Sequence, residues 1–412
     1  MDVEQKPLNG TATESAKATP LLRRQRRIKL FMLLLSIAFS IVAFLVLDWI
    51  RTAAITRVGN ARAAASNCRI PDPVRHHAYK PDCSFSDHWG KAWYDFSTNS
   101  LGFRDEKIRE VPFTDAKPRI LLLGDSFTEG QLAWSDSYAG MLAVRLPQYD
   151  FLNGGVGSYS PSNYYNIARK VLADGYEIDE VIVFLDTADT ADEASFYRDV
   201  NDSGAVAGPL KTLWRQTWYD QFRHLIAKHL LLTNYLFECV ERQLVAHGYY
   251  RLELTLLSAN VFDVEGAAWP YRKVNETDPA PSGYAPLGVE GGLAKEKAKM
   301  NLLWQELQQR GIPLTIVVYP YPGQIVHDTA NSRQVRIWRE WCQGKCKRFI
   351  TLFPAFLAAK EQCPRTQPGC WYLDNFVFGD FHYSAAGNTL VADGVIQSLS
   401  ENPPTKLASK PQ

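Results

Sequence analysis

A chain of 412 residues exceeds one small domain, and 46% hydrophobic against 22% charged side chains excludes an intrinsically disordered protein. Its 45 basic and 44 acidic residues nearly cancel, to a net charge of +1. The basic excess with which nucleic-acid binders meet phosphates is therefore missing, and no nucleic-acid partner is expected.

Residues 1–27 are polar, rich in Thr, Lys, Arg and Pro, and carry no apolar periodicity, which predicts a flexible tail. From Leu30 to Leu47 no charged residue occurs, and only Ser36 and Ser40 interrupt the apolar run. At 1.5 Å per residue that run spans roughly 27 Å. Ile28, Trp49 and Ile50 extend it to bilayer thickness, so residues 28–50 are expected to form a single transmembrane anchor. Arg23, Arg24, Arg26, Arg27 and Lys29 precede it, and by the positive-inside rule they keep the tail cytosolic and export everything after residue 50. A cleaved signal peptide, processed at Ala61-Arg-Ala63 or Ala63-Ala-Ala65, is the competing reading, against which stands an apolar core longer than signal peptides use.

The cysteines fall into three sequence-local couples, Cys68 with Cys83, Cys342 with Cys346 and Cys363 with Cys370, which leaves Cys239 alone. Such couples suit disulfides in an oxidising compartment, although spacing leaves their connectivity open. They lack the paired CxxC or His partners of a zinc site, and no metal or other cofactor is expected. Asn-x-Ser/Thr occurs at Asn9, Asn201 and Asn275, and the latter two would be open to glycosylation in a eukaryotic lumen. A bacterial inner membrane with a periplasmic domain is the preferred location.

Residues 51–117 are a mixed, aromatic-containing lead-in that includes the segment STNSLGFRD (Ser97 to Asp105). From Pro118 short β-rich runs alternate with helix-length amphipathic segments, the pattern of a parallel sheet with helices on both faces. Strands are expected near 119–124, 149–153, 180–185, 313–319 and 348–353. Helices are expected near 136–146, 162–174, 292–310, 333–342 and 384–398. The third and fourth strands are separated by about 120 residues, a largely helical insertion over about 190–290 with an aromatic stretch from Leu210 to His247. Residues 118–400 would form the α/β domain and 401–412 a tail.

The first strand runs into Gly124-Asp125-Ser126, at the edge where α/β sheets bind ligands, and a helix N-terminus beside Ser126 would favour a nucleophilic hydroxyl. Serine needs a base, and the base needs a group that fixes its tautomer. In FGDFHYSAAGN (Phe378 to Asn388) Asp380 and His382 stand two apart just before the last helix.

With the GDSFTEG turn, the NGGVGSYSP turn (Asn153 to Pro161) and GDFHYSAAGN in this order, each at a strand end, residues 118–400 resemble the SGNH/GDSL hydrolase family. The resemblance implies a three-layer α/β/α sandwich of flavodoxin-like order, with Ser126 as nucleophile, His382 as general base and Asp380 orienting it. It also implies an oxyanion hole from the Ser126 backbone and from the second block, where Ser158 stands at the family's Gly with Gly157 beside it. The family's third block is Gly-x-Asn-Asp, and here Asp186-Thr187-Ala188-Asp189 puts Ala188 in place of the Asn whose amide donates to the oxyanion. Loss of one such donor costs about 100- to 1,000-fold in turnover, unless Thr187, Asn163 or another donor substitutes. Asp186, Asp189 and Asp192 also have the look of a cation site, but spacing of this kind is commoner in caps and solvated acids. Asp125, Thr187, Asp189, Tyr319 and Tyr321 are candidates for lining a substrate groove.

These readings together suggest an anchored serine enzyme for O-acyl, in first place O-acetyl, esters of a cell-envelope glycan. It would be an esterase if water accepts the acyl group and an O-acyltransferase if a sugar hydroxyl does. Anchored members of the family resemble partners of multi-pass membrane O-acyltransferases, and STNSLGFRD is similar to their lead-in. A non-catalytic envelope scaffold that binds glycan or recruits such a partner is the alternative, favoured by Ala188.

Overall fold

The computed structural model describes residues 15–63, 68–89, 92–200, 204–208, 225–250, 267–272 and 283–407. Asn9, Asn201, Asn275, Ala65 of the processing motif and residues 210–224 of the expected helical stretch lie outside them.

Helix α1 (Ser15–Ala63) runs past both ends of the expected anchor. No Gly or Pro interrupts the sequence from Leu21 to Val58, so nothing breaks the helix where the apolar run stops. Within it Arg23–Thr56 is long and apolar enough to cross a membrane, its most apolar 18 residues having a mean hydropathy of 2.9.

A hairpin follows, β1 (Arg69–Asp72) and β2 (His76–Tyr79), then β3 (Ser84–Trp89), β4 (Ala92–Thr98) and β5 (Arg104–Asp105). Beyond them come β6 (Arg119–Leu123), α2 (Ser126–Glu129), α3 (Tyr138–Arg145), β7 (Asp150–Asn153), α4 (Pro161–Ala173), β8 (Glu180–Leu185) and α5 (Ala188–Ala191). The long interval then holds β9 (Arg198–Asp199), β10 (Val206–Ala207), α6 (Leu231–Ala246) and α7 (Gly288–Arg310). The chain closes with β11 (Leu314–Val318), α8 (Pro322–His327), α9 (Arg333–Cys342), β12 (Arg348–Thr351), α10 (Phe353–Glu361), α11 (Cys370–Asn375) and α12 (Ala385–Glu401).

The main sheet has the order β12-β11-β8-β6-β7-β5-β4-β3. Its first five strands are parallel and, renumbered in chain order, give 2-1-3-4-5, the flavodoxin-like arrangement. The other three are antiparallel, so the lead-in departs from its expected role by extending the sheet itself. Its Tyr79, Phe96 and Phe103 belong to the same buried cluster as Leu121 and Val183.

Alternation along the buried strands makes three layers. Leu121 and Leu123 pack with Ile167 of α4, Leu303 of α7 and Trp338 of α9, while Ile120 and Leu122 pack with Leu142 of α3, Phe356 of α10 and Val395 of α12. Full burial of each such side chain contributes roughly 1.5–3 kcal/mol, enough in sum to fix which strand ends meet at one edge. Three disulfides, Cys68–Cys83, Cys342–Cys346 and Cys363–Cys370, tie down local loops.

Candidate active site

Strands β6, β8 and β11 are neighbours, with Leu123 opposite Val183 and Val318 opposite Leu185, so the residues that follow them converge on one edge. β6 is followed by a turn that only Gly allows at position 124, because a Cβ there would sit 1.9 Å from Thr128 Oγ1. The turn leads directly into α2, and Asp125 caps it by accepting the Phe127 N–H at 2.9 Å. Ser126 is the first residue of that helix and is 9% exposed.

His382 comes from the loop between α11 and α12. The loop is pinned by Tyr372, whose hydroxyl donates to the Asp380 carbonyl at 2.9 Å and accepts the Gly379 N–H at 3.0 Å. The imidazole lies against Phe127 and Phe381, with ring centroids 4.7 and 4.5 Å away. Its Nε2 is 2.7 Å from Ser126 Oγ, and its Nδ1 is 2.7 Å from Asp380 Oδ1, which also accepts the His382 backbone N–H at 3.0 Å. With no acceptor role open at Nδ1, the proton sits there and Nε2 is left to accept from the serine. Burial alone would push the Asp380 carboxyl up, but the hydrogen bonds from the His382 ring and backbone hold it below its ordinary value.

The second turn, Asn153 to Ser160, is held against this pair. Asn153 Nδ2 donates to the Thr128 carbonyl at 2.7 Å, and a Cβ on Gly155 would strike Thr128 Cβ at 2.5 Å. Ser158 has the left-handed backbone (φ 66°) that a Gly adopts freely, and its carbonyl accepts from Tyr197 Oη at 2.7 Å. Among the described hydrogen bonds neither the Ser126 nor the Ser158 N–H is used, which leaves both for an oxyanion. Gly157 is different: its N–H donates to the Glu129 carboxylate, so of the two second-block candidates only Ser158 retains an open donor.

Glu129 was not singled out by the sequence. It is 1% exposed and gathers Gly157 N–H, Tyr79 Oη at 2.9 Å and Arg69 Nη2 at 3.4 Å. His77 completes the clamp through Nε2 to the Gly157 carbonyl at 2.9 Å. Burial, with Arg69, His76 and Arg75 nearby, pushes its imidazole down to about 4 despite that bond, so it is neutral and donates. Arg104, from STNSLGFRD, donates to the Glu129 carbonyl at 2.6 Å and lies over the Phe96 ring at 4.9 Å. The lead-in thus braces the Ser126 helix and the Asn153–Ser160 turn.

Asp125 and Asp186 end adjacent strands and form a buried pair, with Tyr319 Oη 3.3 Å from one oxygen of each. Burial raises both carboxyls, Asp125 well above its ordinary value because Asp186 stands beside it. Asp186 accepts the Ala188 and Asp189 N–H groups at 2.7 and 3.2 Å, so the pair's single negative charge settles there and Asp125 keeps the proton. Asp125 Oδ2 is 3.4 Å from Ser126 Oγ.

Three groove candidates take other places. Asp189 is 2% exposed and receives Tyr164 Oη at 2.7 Å and Asp186 N–H at 2.9 Å, and Tyr319 is 1% exposed beneath the aspartate pair. Tyr321 is 3% exposed and stacks on Phe381 at 5.1 Å, supporting the His382 loop from inside. Asn163, the other candidate substitute for the third donor, donates through Nδ2 to the Arg75 carbonyl at 2.9 Å. Thr187 Oγ1 is buried with no hydrogen-bond partner among the described residues and is the donor left over beside Ala188. No group of three or more His, Cys, Asp or Glu placed to hold a metal occurs among the described residues.

The shared proton makes stability pH-dependent. Above the ordinary carboxylate pKa of about 3.9 the unfolded chain releases the pair's protons while the folded chain keeps one, so stability falls as pH rises toward the pair's own raised pKa. Melting temperatures across this range should fall more steeply for the native protein than for Asp186→Asn, and parallel profiles would show that no proton is shared.

No family model matches the sequence, and the search of curated proteins returns no match. Solved structures with partial likeness include an acetylxylan esterase from Geobacillus stearothermophilus, at 12% identity and a TM-score of 0.34 over 73% of this chain and 100% of that one. A putative acylhydrolase from Bacteroides fragilis matches at 8% identity and TM-score 0.32 over 69% of this chain and 90% of that one. An SGNH-hydrolase family esterase matches at 13% identity and TM-score 0.30 over 71% of this chain and 100% of that one.

Proposed function

We propose that this chain is a membrane-anchored SGNH-type serine enzyme that handles O-acyl, in first place O-acetyl, esters of a cell-envelope glycan. The observation that carries the reading is the unbroken relay from Asp380 Oδ1 to His382 Nδ1 and from His382 Nε2 to Ser126 Oγ, each step 2.7 Å. A binding module has no use for a serine hydroxyl aimed at an oriented imidazole.

In the proposed reaction His382 Nε2 takes the Ser126 proton as Oγ attacks the acyl carbonyl. The Ser126 and Ser158 N–H groups receive the oxyanion, with Thr187 as the candidate third donor. Collapse of the tetrahedral species expels the donor's alcohol, which takes the proton from His382, and leaves acyl-Ser126. His382 then deprotonates the acceptor, water in an esterase or a sugar hydroxyl in an O-acyltransferase. The α1 anchor, the disulfides and the bracing lead-in support an exported, periplasmic domain that receives acyl groups from a multi-pass membrane O-acyltransferase.

The scaffold reading is favoured by one feature, the methyl side chain of Ala188 where a third donor would stand. Full-length protein in detergent, given p-nitrophenyl acetate and a sugar acceptor, separates these readings. Nitrophenol release with acetyl-sugar formation, absent in Ser126→Ala, is the expected transferase result, and release alone identifies an esterase. Equal background from both proteins would leave the scaffold.

A further inference from the structure

Helix α6 joins the membrane helix to the catalytic loop. Its N-cap residue, Leu230, offers no capping side chain. The cap comes instead from α1: Leu232 N–H and Thr233 N–H donate to the Asp48 carboxylate at 2.9 and 2.7 Å, and Thr233 Oγ1 donates to it at 2.7 Å. One helical turn further along α1, Thr52 Oγ1 accepts the Leu231 N–H at 2.9 Å. Asp48 and Thr52 are buried although their neighbours Leu47, Trp49 and Ile50 are exposed. An acidic side chain in a membrane-crossing helix is costly unless it has a partner of this kind.

At its other end α6 turns inward. Val245 belongs to the core cluster that contains Tyr383, and the Gly369 N–H donates to the Ala246 carbonyl at 3.0 Å. The Arg242 guanidinium lies 4.2 Å from the centroid of Phe378, two residues before Asp380. The outer face carries Tyr235, Leu236 and Val240, each more than half exposed, with Cys239 among them. These positions fall at i, i+1, i+4 and i+5, one side of the helix, and Gln243 and His247 continue it with polar groups farther from α1.

We propose that α6 is an interfacial helix, its Tyr235, Leu236, Cys239 and Val240 face in contact with the lipid of the same bilayer that α1 spans, so that the Ser126 site is held at the membrane surface. The proposal rests on α1 crossing a membrane. Lipid is the occupant because depth is already fixed: Tyr235 and Leu236 follow Thr233 closely, so whatever the tilt they lie within about 3–5 Å along the helix of groups bonded to Asp48, at the end of the apolar stretch. Next to Asp48, α1 is itself exposed and apolar, at Leu47, Trp49 and Ile50. An acyl donor arriving at or through the membrane would then meet the nucleophile without the domain leaving the surface.

Cys239 is the one cysteine outside the three disulfides, so the native chain takes a single environment-sensitive nitrobenzoxadiazole label there. Full-length labelled protein in liposomes is floated, then titrated with doxyl-labelled lipid and with aqueous iodide. A control carries Arg310→Cys in a Cys239→Ser background, at the opposite edge of the sheet from Ser126. The expected result is co-flotation, with doxyl lipid cutting Cys239 emission roughly twofold or more and iodide having little effect, as for a face set about 5–10 Å into the interface, and the reverse pattern at position 310. Failure to float would overturn the anchor itself. Flotation with iodide quenching at Cys239 would overturn the interfacial placement alone, and protection from both quenchers would assign the face to a protein partner or a second copy.

Discussion

Ser126→Ala and His382→Ala should each lower turnover of an acyl ester by about a million-fold, and the double variant should be no slower than either alone. The reason is geometric. Ser126 Oγ has one strong partner, His382 Nε2 at 2.7 Å, and without that acceptor the hydroxyl keeps its proton through attack. Without the hydroxyl the imidazole has nothing to activate, so the two losses describe one function removed. The KM should change little, because neither side chain is the main surface on which a glycan would rest. Steady-state kinetics on the three variants reads this directly, and multiplicative losses in the double variant would mean that the two residues act separately.

Asp380→Asn should cost about a thousand- to ten-thousand-fold in kcat with the fold intact. The carboxylate accepts both the ring Nδ1–H and the backbone N–H of His382 on one oxygen. An amide can keep its carbonyl oxygen at that place and accept both N–H groups, but it carries no negative charge to stabilise the imidazolium that forms when His382 takes the Ser126 proton. Asp380 is held below the ordinary carboxylate range, so it stays ionised on the acid side and the native enzyme keeps this charge wherever the fold survives. An unchanged melting curve beside the kinetic loss is expected, whereas a kcat close to native would show that the imidazole needs no negative charge beside Nδ1 and is positioned by its packing on Phe127 and Phe381.

The parallel half of the fold was readable because its signals are local. RILLL, EVIVFL and LTIVV are continuous apolar runs of the kind only a doubly covered strand buries, and each observed strand lies within the expected range. Helices such as Arg333–Cys342 likewise carry their caps and periodicity in sequence. The antiparallel extension was also written in the chain, as the alternation of SFSDHW and AWYDFST, but short mixed runs of that kind give a weak signal beside aromatic-rich loops.

What was illegible is what depends on distance in sequence. Glu129 meets Tyr79 fifty positions away, and Asp125 meets Asp186 only because β6 and β8 are neighbours in a crossover topology. Strand-end position made Tyr319 and Asp189 groove candidates, but it is silent on which way each side chain points, and both are buried. Ser158 shows the opposite case. A Ser there looked like a departure, yet its backbone takes the left-handed conformation that Gly adopts freely.

The most direct test of the central claim is reaction of the full-length protein with a fluorophosphonate, followed by intact mass and peptide mapping. One adduct per chain on Ser126, lost in His382→Ala, is expected of a serine activated by the relay. Absence of an adduct, or one that persists without His382, would contradict the assignment of Ser126 as an activated nucleophile.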